Sequence, residues 1–134
     1  MKVLLDTLIL LWALSGDSRL PVKARKLIEN PDNEIFYSVV SAWEIEIKKL
    51  AHPDSMPIGA EETVAYCVEA GFHCASIRND HIFLLKTLHR GDGSAPHRDP
   101  FDRIMICQAM SDDMIFVTHD SLLADYEEPC IFTV

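Results

Sequence analysis

Short apolar runs alternate with longer mixed segments along the whole chain. The runs at Lys2–Leu5, Glu34–Ser38, Phe72–Ala75, Met114–Thr118 and Cys130–Thr133 are rich in Val, Ile and Phe, the pattern of strands buried on both faces. The mixed segments predict helices over Thr7–Leu14, Pro21–Asn30, Ser41–Ala51, Ala60–Ala70, Asn79–Leu88, Pro100–Ser111 and Ser121–Tyr126. Pro21 suits a first helical turn and Gly71 a helix stop. Such alternation predicts an α/β domain with a mostly parallel sheet of four to five strands and helices on both faces. Two loops stand out, His52–Pro57 and His89–Arg98. The second reads HRGDGSAPHR, and a polar loop of that length in a compact domain is often functional.

Length and composition add boundaries to this picture. A chain of 134 residues makes one domain, 1–134, able to bury about two-thirds of its unfolded surface. The opening MKVLLDTLILLWALSG imitates a leader peptide, but Asp6 interrupts its apolar run and the run is too short to span a membrane. A buried strand followed by a helix is expected there, and no membrane association. Cys67, Cys74, Cys107 and Cys130 form no CxxC pair, which speaks against a zinc site. They lie in apolar stretches and predict buried, reduced thiols in a cytoplasmic protein. Trp12 and Trp43 lie on apolar helix faces and are expected in the core.

The candidate chemistry is acidic. In an open parallel sheet, ligands bind beyond the carboxyl ends of the strands. Asp6 follows the first strand at once, Glu44 lies six residues past Ser38, and Asp120 lies two past Thr118. Asp99 and Asp102 open the helix that precedes the fourth strand. Each acid also has a plain structural role. Asp6, Asp99 and Asp120 suit N-caps, Ser41 to Glu44 suits a capping box, and Asp102 suits a first helical turn. Capping does not require acids to cluster, and two carboxylates about 4 Å apart repel by roughly 4 kcal/mol. A hard divalent cation, Mg²⁺ or Mn²⁺, does require it, and such ions assist phosphodiester hydrolysis.

The motifs then point to a family. LLDT at Leu4–Thr7 is followed by LLWAL at Leu10–Leu14, SAWEIEIKK at Ser41–Lys49, HRDPFDRIMICQA at His97–Ala109 and VTHD at Val117–Asp120. In this order the sequence resembles the PIN-domain ribonucleases of the VapC type, toxins of bacterial toxin–antitoxin pairs. The resemblance implies a three-layer α/β/α fold and cleavage of single-stranded RNA with Mg²⁺ or Mn²⁺. It also implies a cognate antitoxin and a homodimer. Matched by motif, the acidic set falls on Asp6, Glu44, Asp102 and Asp120. Asp99 is the extra acid of the DPFDR variant, a cap first and a metal ligand second. Leu8 departs from the family, which commonly has a polar residue after LLDT, although the Thr7 hydroxyl remains.

Charge refines the reading. With 12 Lys+Arg against 21 Asp+Glu the net charge is −9, which argues against a broad basic surface for nucleic acid. Local cations remain. Arg98 is the candidate phosphate contact beside the acids, with Thr7 and Thr118 as further substrate contacts, and Arg103 suits an ion pair with a neighbouring acid. Lys48 suits a helix ion pair with Glu44. Arg19, Lys23, Arg25 and Lys26 form either a solvated face or a contact for RNA or a partner. An inert PIN-fold binding module is the alternative function, with Leu8 as its direct support. A phospho-acceptor domain fits poorly, because the strand ending Phe36-Tyr37-Ser38 lacks the acceptor Asp.

Overall fold

The computed structural model describes residues 1–134. In chain order it forms β1 (Lys2–Leu5), α1 (Thr7–Ser15), α2 (Val22–Glu29), β2 (Glu34–Ser38), α3 (Val39–Ala51), α4 (Ala60–Glu69), β3 (His73–Ala75), α5 (Asn79–Leu84), α6 (Pro100–Ser111), β4 (Ile115–Thr118) and β5 (Ile131–Thr133). Two 3₁₀ helices, Leu85–Thr87 and Ser121–Tyr126, complete it. The five strands form one all-parallel sheet in the order β3-β2-β1-β4-β5. The chain thus reverses its winding at the β1/β4 boundary, where crevices open in such sheets.

Alternation along the strands sends side chains to two cores. Leu4 and Phe116 face one, with Met105, Ile106 and Cys107 of α6. Val3, Leu5 and Val117 face the other, with Ile9 and Leu10 of α1, Ala24 of α2 and Cys67 of α4. This is the expected three-layer α/β/α arrangement. Helix α3 contacts α1, α4 and α6. Gly16, at φ 65°, ends α1 and returns its amide to the Trp12 carbonyl, a left-handed stop that favours glycine.

Several expectations need correction. Helix α3 begins at Val39, not Ser41. The Ser38 hydroxyl accepts from the Val40 amide at 3.0 Å and donates to Gln108 Oε1 at 2.6 Å. The Ser41–Glu44 capping box therefore does not form, and Glu44 stands in the second turn. Ser121–Tyr126 is a 3₁₀ helix rather than an α-helix, and strands β3, β4 and β5 each start one residue later than expected. All four cysteines are free, but only Cys67 and Cys107 are buried, and Cys74 is exposed. Trp12 is buried as expected, while Trp43 is 59% exposed, edge-on to Phe101. The apolar LILLWAL segment places Ile9, Leu10 and Trp12 in the core and leaves Leu8 exposed. No helix is long and apolar enough to cross a membrane.

Candidate active site

A cleft of about 350 Å³ opens beyond the carboxyl ends of β1 and β4. Asp6, Glu44, Asp99, Asp102 and Asp120 line it, together with Thr7, Leu8, Leu11, Lys48 and His119. Four different parts of the chain supply these acids. Asp6 is the first residue past β1, tied into the sheet edge by its amide donating to the Val117 carbonyl at 2.9 Å. Glu44 comes from α3, Asp99 and Asp102 from the start of α6, and Asp120 from the turn after β4.

The capping roles and the clustering are both real. Asp6 accepts from the Thr7 amide at 2.7 Å, Asp99 from the Phe101 amide at 2.8 Å, and Asp120 from the Leu122 amide at 2.9 Å. Each thereby satisfies a free amide of a helix start while its carboxylate borders the cleft. Pro100 follows Asp99 at the first position of α6, where its missing N–H costs nothing.

Further hydrogen bonds set each carboxylate. Thr118 donates to Asp6 Oδ2 at 2.7 Å, and the Asp120 amide donates to Thr118 Oγ1 at 3.0 Å. Thr7 donates to Glu44 Oε1 at 2.8 Å, and Lys48 pairs with Glu44 Oε2 at 3.1 Å. Ser41, buried inside α3, meets Thr7 Oγ1 at 2.8 Å. Thr7 and Thr118 are thus buried braces for the acids. Their hydroxyls are already engaged by carboxylates drawn from other elements.

Burial and mutual repulsion mark the two central acids. Asp6 is 8% exposed, and burial, opposed by the Thr118 and Thr7 hydrogen bonds, pushes its carboxyl up to about 6. Asp102 is pushed up to about 8, first by burial and then by the charges of Asp6, Asp99, Glu44 and Asp120. The acids therefore resist ionising together, which a cation would relieve. Carboxylate oxygens are the donors that Mg²⁺ and Mn²⁺ take, so the donor set fits such an ion.

His97 touches an acid of the cleft, and Tyr126 stands behind it. His97 Nε2 lies 3.1 Å from Asp102 Oδ2, and its Nδ1 lies 2.6 Å from the Tyr126 hydroxyl. Burial, with Arg90 nearby, holds the His97 imidazole below its ordinary range and so neutral at pH 7. No periodicity signals this contact, since His97 precedes Asp102 by five residues across a helix cap. Arg98, by contrast, is exposed and does not line the cleft. Arg103 finds no acid. It donates to Tyr126 Oη at 3.3 Å and lies over the Tyr126 ring, so its expected ion pair is corrected. Lys48 pairs with Glu44 as expected, and Arg19 pairs with Asp17.

A second group, Asp80, His81 and Asp112, lies away from the cleft. Arg78 bridges both of its carboxylates, so that group already holds its cation. It is a structural tie between α5 and the end of α6.

No curated protein matches significantly. Among solved structures, VapBC2 from Rickettsia felis, bound to a DNA fragment from its promoter, aligns with a TM-score of 0.61 at 14% identity, covering 100% of this chain and 98% of that one. A toxin–antitoxin complex from Klebsiella pneumoniae aligns with a TM-score of 0.58 at 19% identity, over 98% and 96%. VapBC-1 from nontypeable Haemophilus influenzae aligns at 0.59 and 14%, over 95% and 91%. At these identities the likeness is one of fold. The family model described as PIN domain matches residues 3–129, nearly the whole chain, and the chain therefore belongs to the PIN-domain family.

Proposed function

We propose that this protein is a Mg²⁺- or Mn²⁺-dependent endoribonuclease, the toxin of a toxin–antitoxin pair. The observation that carries the reading is the convergence of Asp6, Glu44, Asp102 and Asp120 on one cleft of a PIN domain, with Asp6 and Asp102 hard to ionise. These four would hold the ion, and Asp99 keeps a carboxylate oxygen turned to no amide. Such an ion supplies water activation and neutralises charge on the scissile phosphate.

The chain's own residues do the rest. Thr118 and the Thr7 amide fix Asp6, while Thr7 and Lys48 fix Glu44. Leu8 and Leu11 line the cleft. Lys48, with its side chain 54% exposed, borders the cleft and can meet a flanking phosphate. Arg98 stands in the loop leading into Asp99 and fits a phosphate farther along a single strand. Binding then rests on the ion and a few local cations, consistent with a net charge of −9.

The fold likeness to toxin–antitoxin complexes supports an antitoxin partner. A basic segment would suit the acidic cleft, and the exposed apolar residues of α3, Val39, Trp43, Ile47 and Leu50, would suit its apolar contacts or those of a second copy. The test is digestion of single-stranded RNA with Mn²⁺, Mg²⁺ or EDTA, run beside Asp6→Asn prepared identically. Cleavage by wild type with metal, and none with EDTA or the variant, is expected. Equal cleavage by the variant overturns the reading.

A further inference from the structure

The loop His89–Arg98 is built against the site rather than draped over it. Arg90 donates to the carbonyls of Ala95 at 2.8 Å and Leu122 at 2.6 Å, and pairs with Asp125 at 3.0 Å. The Gly91 amide donates to the Asp125 carbonyl at 2.9 Å. This anchoring delivers His97 to a place where its side chain is only 6% exposed. Tyr126, the last residue of the second 3₁₀ helix, is 1% exposed beside it.

The hydrogen bonds there have a direction. Arg103 has only donors, so Tyr126 Oη accepts from Arg103 Nη1 at 3.3 Å. The phenol must then give its own proton to an acceptor. The His97 Nδ1 atom at 2.6 Å is nearer than the His97 carbonyl at 3.3 Å. Nδ1 is therefore the acceptor, and the proton of the neutral ring sits on Nε2. Nε2–H faces Asp102 Oδ2 at 3.1 Å. Edge-on packing of the two rings, 5.4 Å between centroids at 88°, fixes the imidazole plane.

We propose that Arg103, Tyr126 and His97 form a positioning relay that sets the His97 tautomer and thereby holds the Asp102 carboxylate at one orientation toward the cleft. The inference rests on the metal-site reading above and extends it to residues outside the acidic set. Asp102 rests on this one support. Asp6 and Glu44 each accept two hydrogen bonds from other residues, whereas His97 supplies the only side-chain donor to Asp102. Outer partners of this kind typically change metal affinity by roughly 10–100-fold when removed. His97 and Tyr126 are positioning residues, since neither is required to touch substrate.

The experiment is Mn²⁺ binding to the full chain, by calorimetry and by the electron paramagnetic resonance of free Mn²⁺, with melting in EDTA as a folding control. Tyr126→Phe removes one hydroxyl and keeps the ring. His97→Phe keeps a ring and removes both nitrogens, while His97→Gln restores a donor near the Nε2 position. Weaker Mn²⁺ binding by roughly tenfold or more in Tyr126→Phe and His97→Phe, with partial recovery in His97→Gln, is expected. Should His97→Phe fail to fold, Tyr126→Phe alone decides. Wild-type affinity in Tyr126→Phe overturns the relay, and if His97→Phe alone then binds poorly, His97 is a direct ligand instead. A wild-type chain that binds no Mn²⁺ removes the metal-site reading itself, and the relay with it.

Discussion

Replacing Asp6 by Asn should make the metal-free protein more stable at pH 8, although it destroys the site. Burial raises the Asp6 carboxyl from its ordinary 3.8 to about 6. At pH 8 the group is ionised both folded and unfolded, so the folded state bears a penalty of about 3 kcal/mol. Asn removes that charge and keeps the local geometry. Its Oδ1 still accepts from the Thr7 amide, and Asn is as good an N-cap as Asp. Its Nδ2 faces Thr118 Oγ1, whose hydroxyl can turn to accept. Losing charge-assisted bonds for neutral ones offsets part of the gain, leaving about 2 kcal/mol. For a chain of this size that is about 5–10 °C in Tm. The assay is thermal melting in EDTA at pH 8 and again near pH 4. The sign follows from the raised folded pKa: the wild type loses stability as pH rises through about 6, so the variant's advantage fades toward pH 4. A variant that melts below wild type at pH 8 in EDTA refutes the account of Asp6 as a strained, buried charge.

Other outcomes follow from neighbouring features. Millimolar Mn²⁺ or Mg²⁺ should raise the wild-type Tm at pH 8, through a stabilisation of about 2.7 kcal/mol at one hundred times Kd, and leave the Tm of Asp6→Asn nearly unmoved; equal shifts would count against the site. The same rise should shrink as pH falls through about 8 and then about 6, where protons on Asp102 and then on Asp6 compete with the ion. Ser38→Ala removes the α3 cap and leaves Gln108 Oε1 buried without its donor, and should cost about 2–3 kcal/mol in a denaturant titration. Trp12→Ala should cost about 3–5 kcal/mol, whereas Trp43→Ser, on an exposed site, should cost under about 1 kcal/mol; similar losses for both would contradict their different burial.

Much of the site was legible because its acids obey local rules. Asp6, Asp99 and Asp120 each follow a strand or open a helix, and capping makes them visible at those boundaries. Less legible was what lies between them. The Ser41–Glu44 box matched a local pattern, but Ser38 competes for the same role and wins because Gln108 of α6 pairs with its hydroxyl. Which acids the Thr7 and Thr118 hydroxyls would brace, Glu44 and Asp6, depends on elements far apart in the chain. Trp43 sat on an apolar face by periodicity, yet only the edge of Phe101 meets it and the ring stays mostly exposed.

The division has a physical reason. Alternating apolar runs are a local property of the chain, so the five strands, most of the helices, the two buried faces of the sheet and the acids at strand ends follow from the sequence alone. Strand order, and with it the meeting of Asp6 with Asp120 at the β1/β4 reversal, depends on pairings 112 residues apart, such as Thr118 to Asp6. The raised carboxyls of Asp6 and Asp102 exist only once those charges are buried together. The Arg103–Tyr126–His97–Asp102 chain likewise joins a helix, a 3₁₀ turn and a loop through hydrogen bonds that no periodicity encodes.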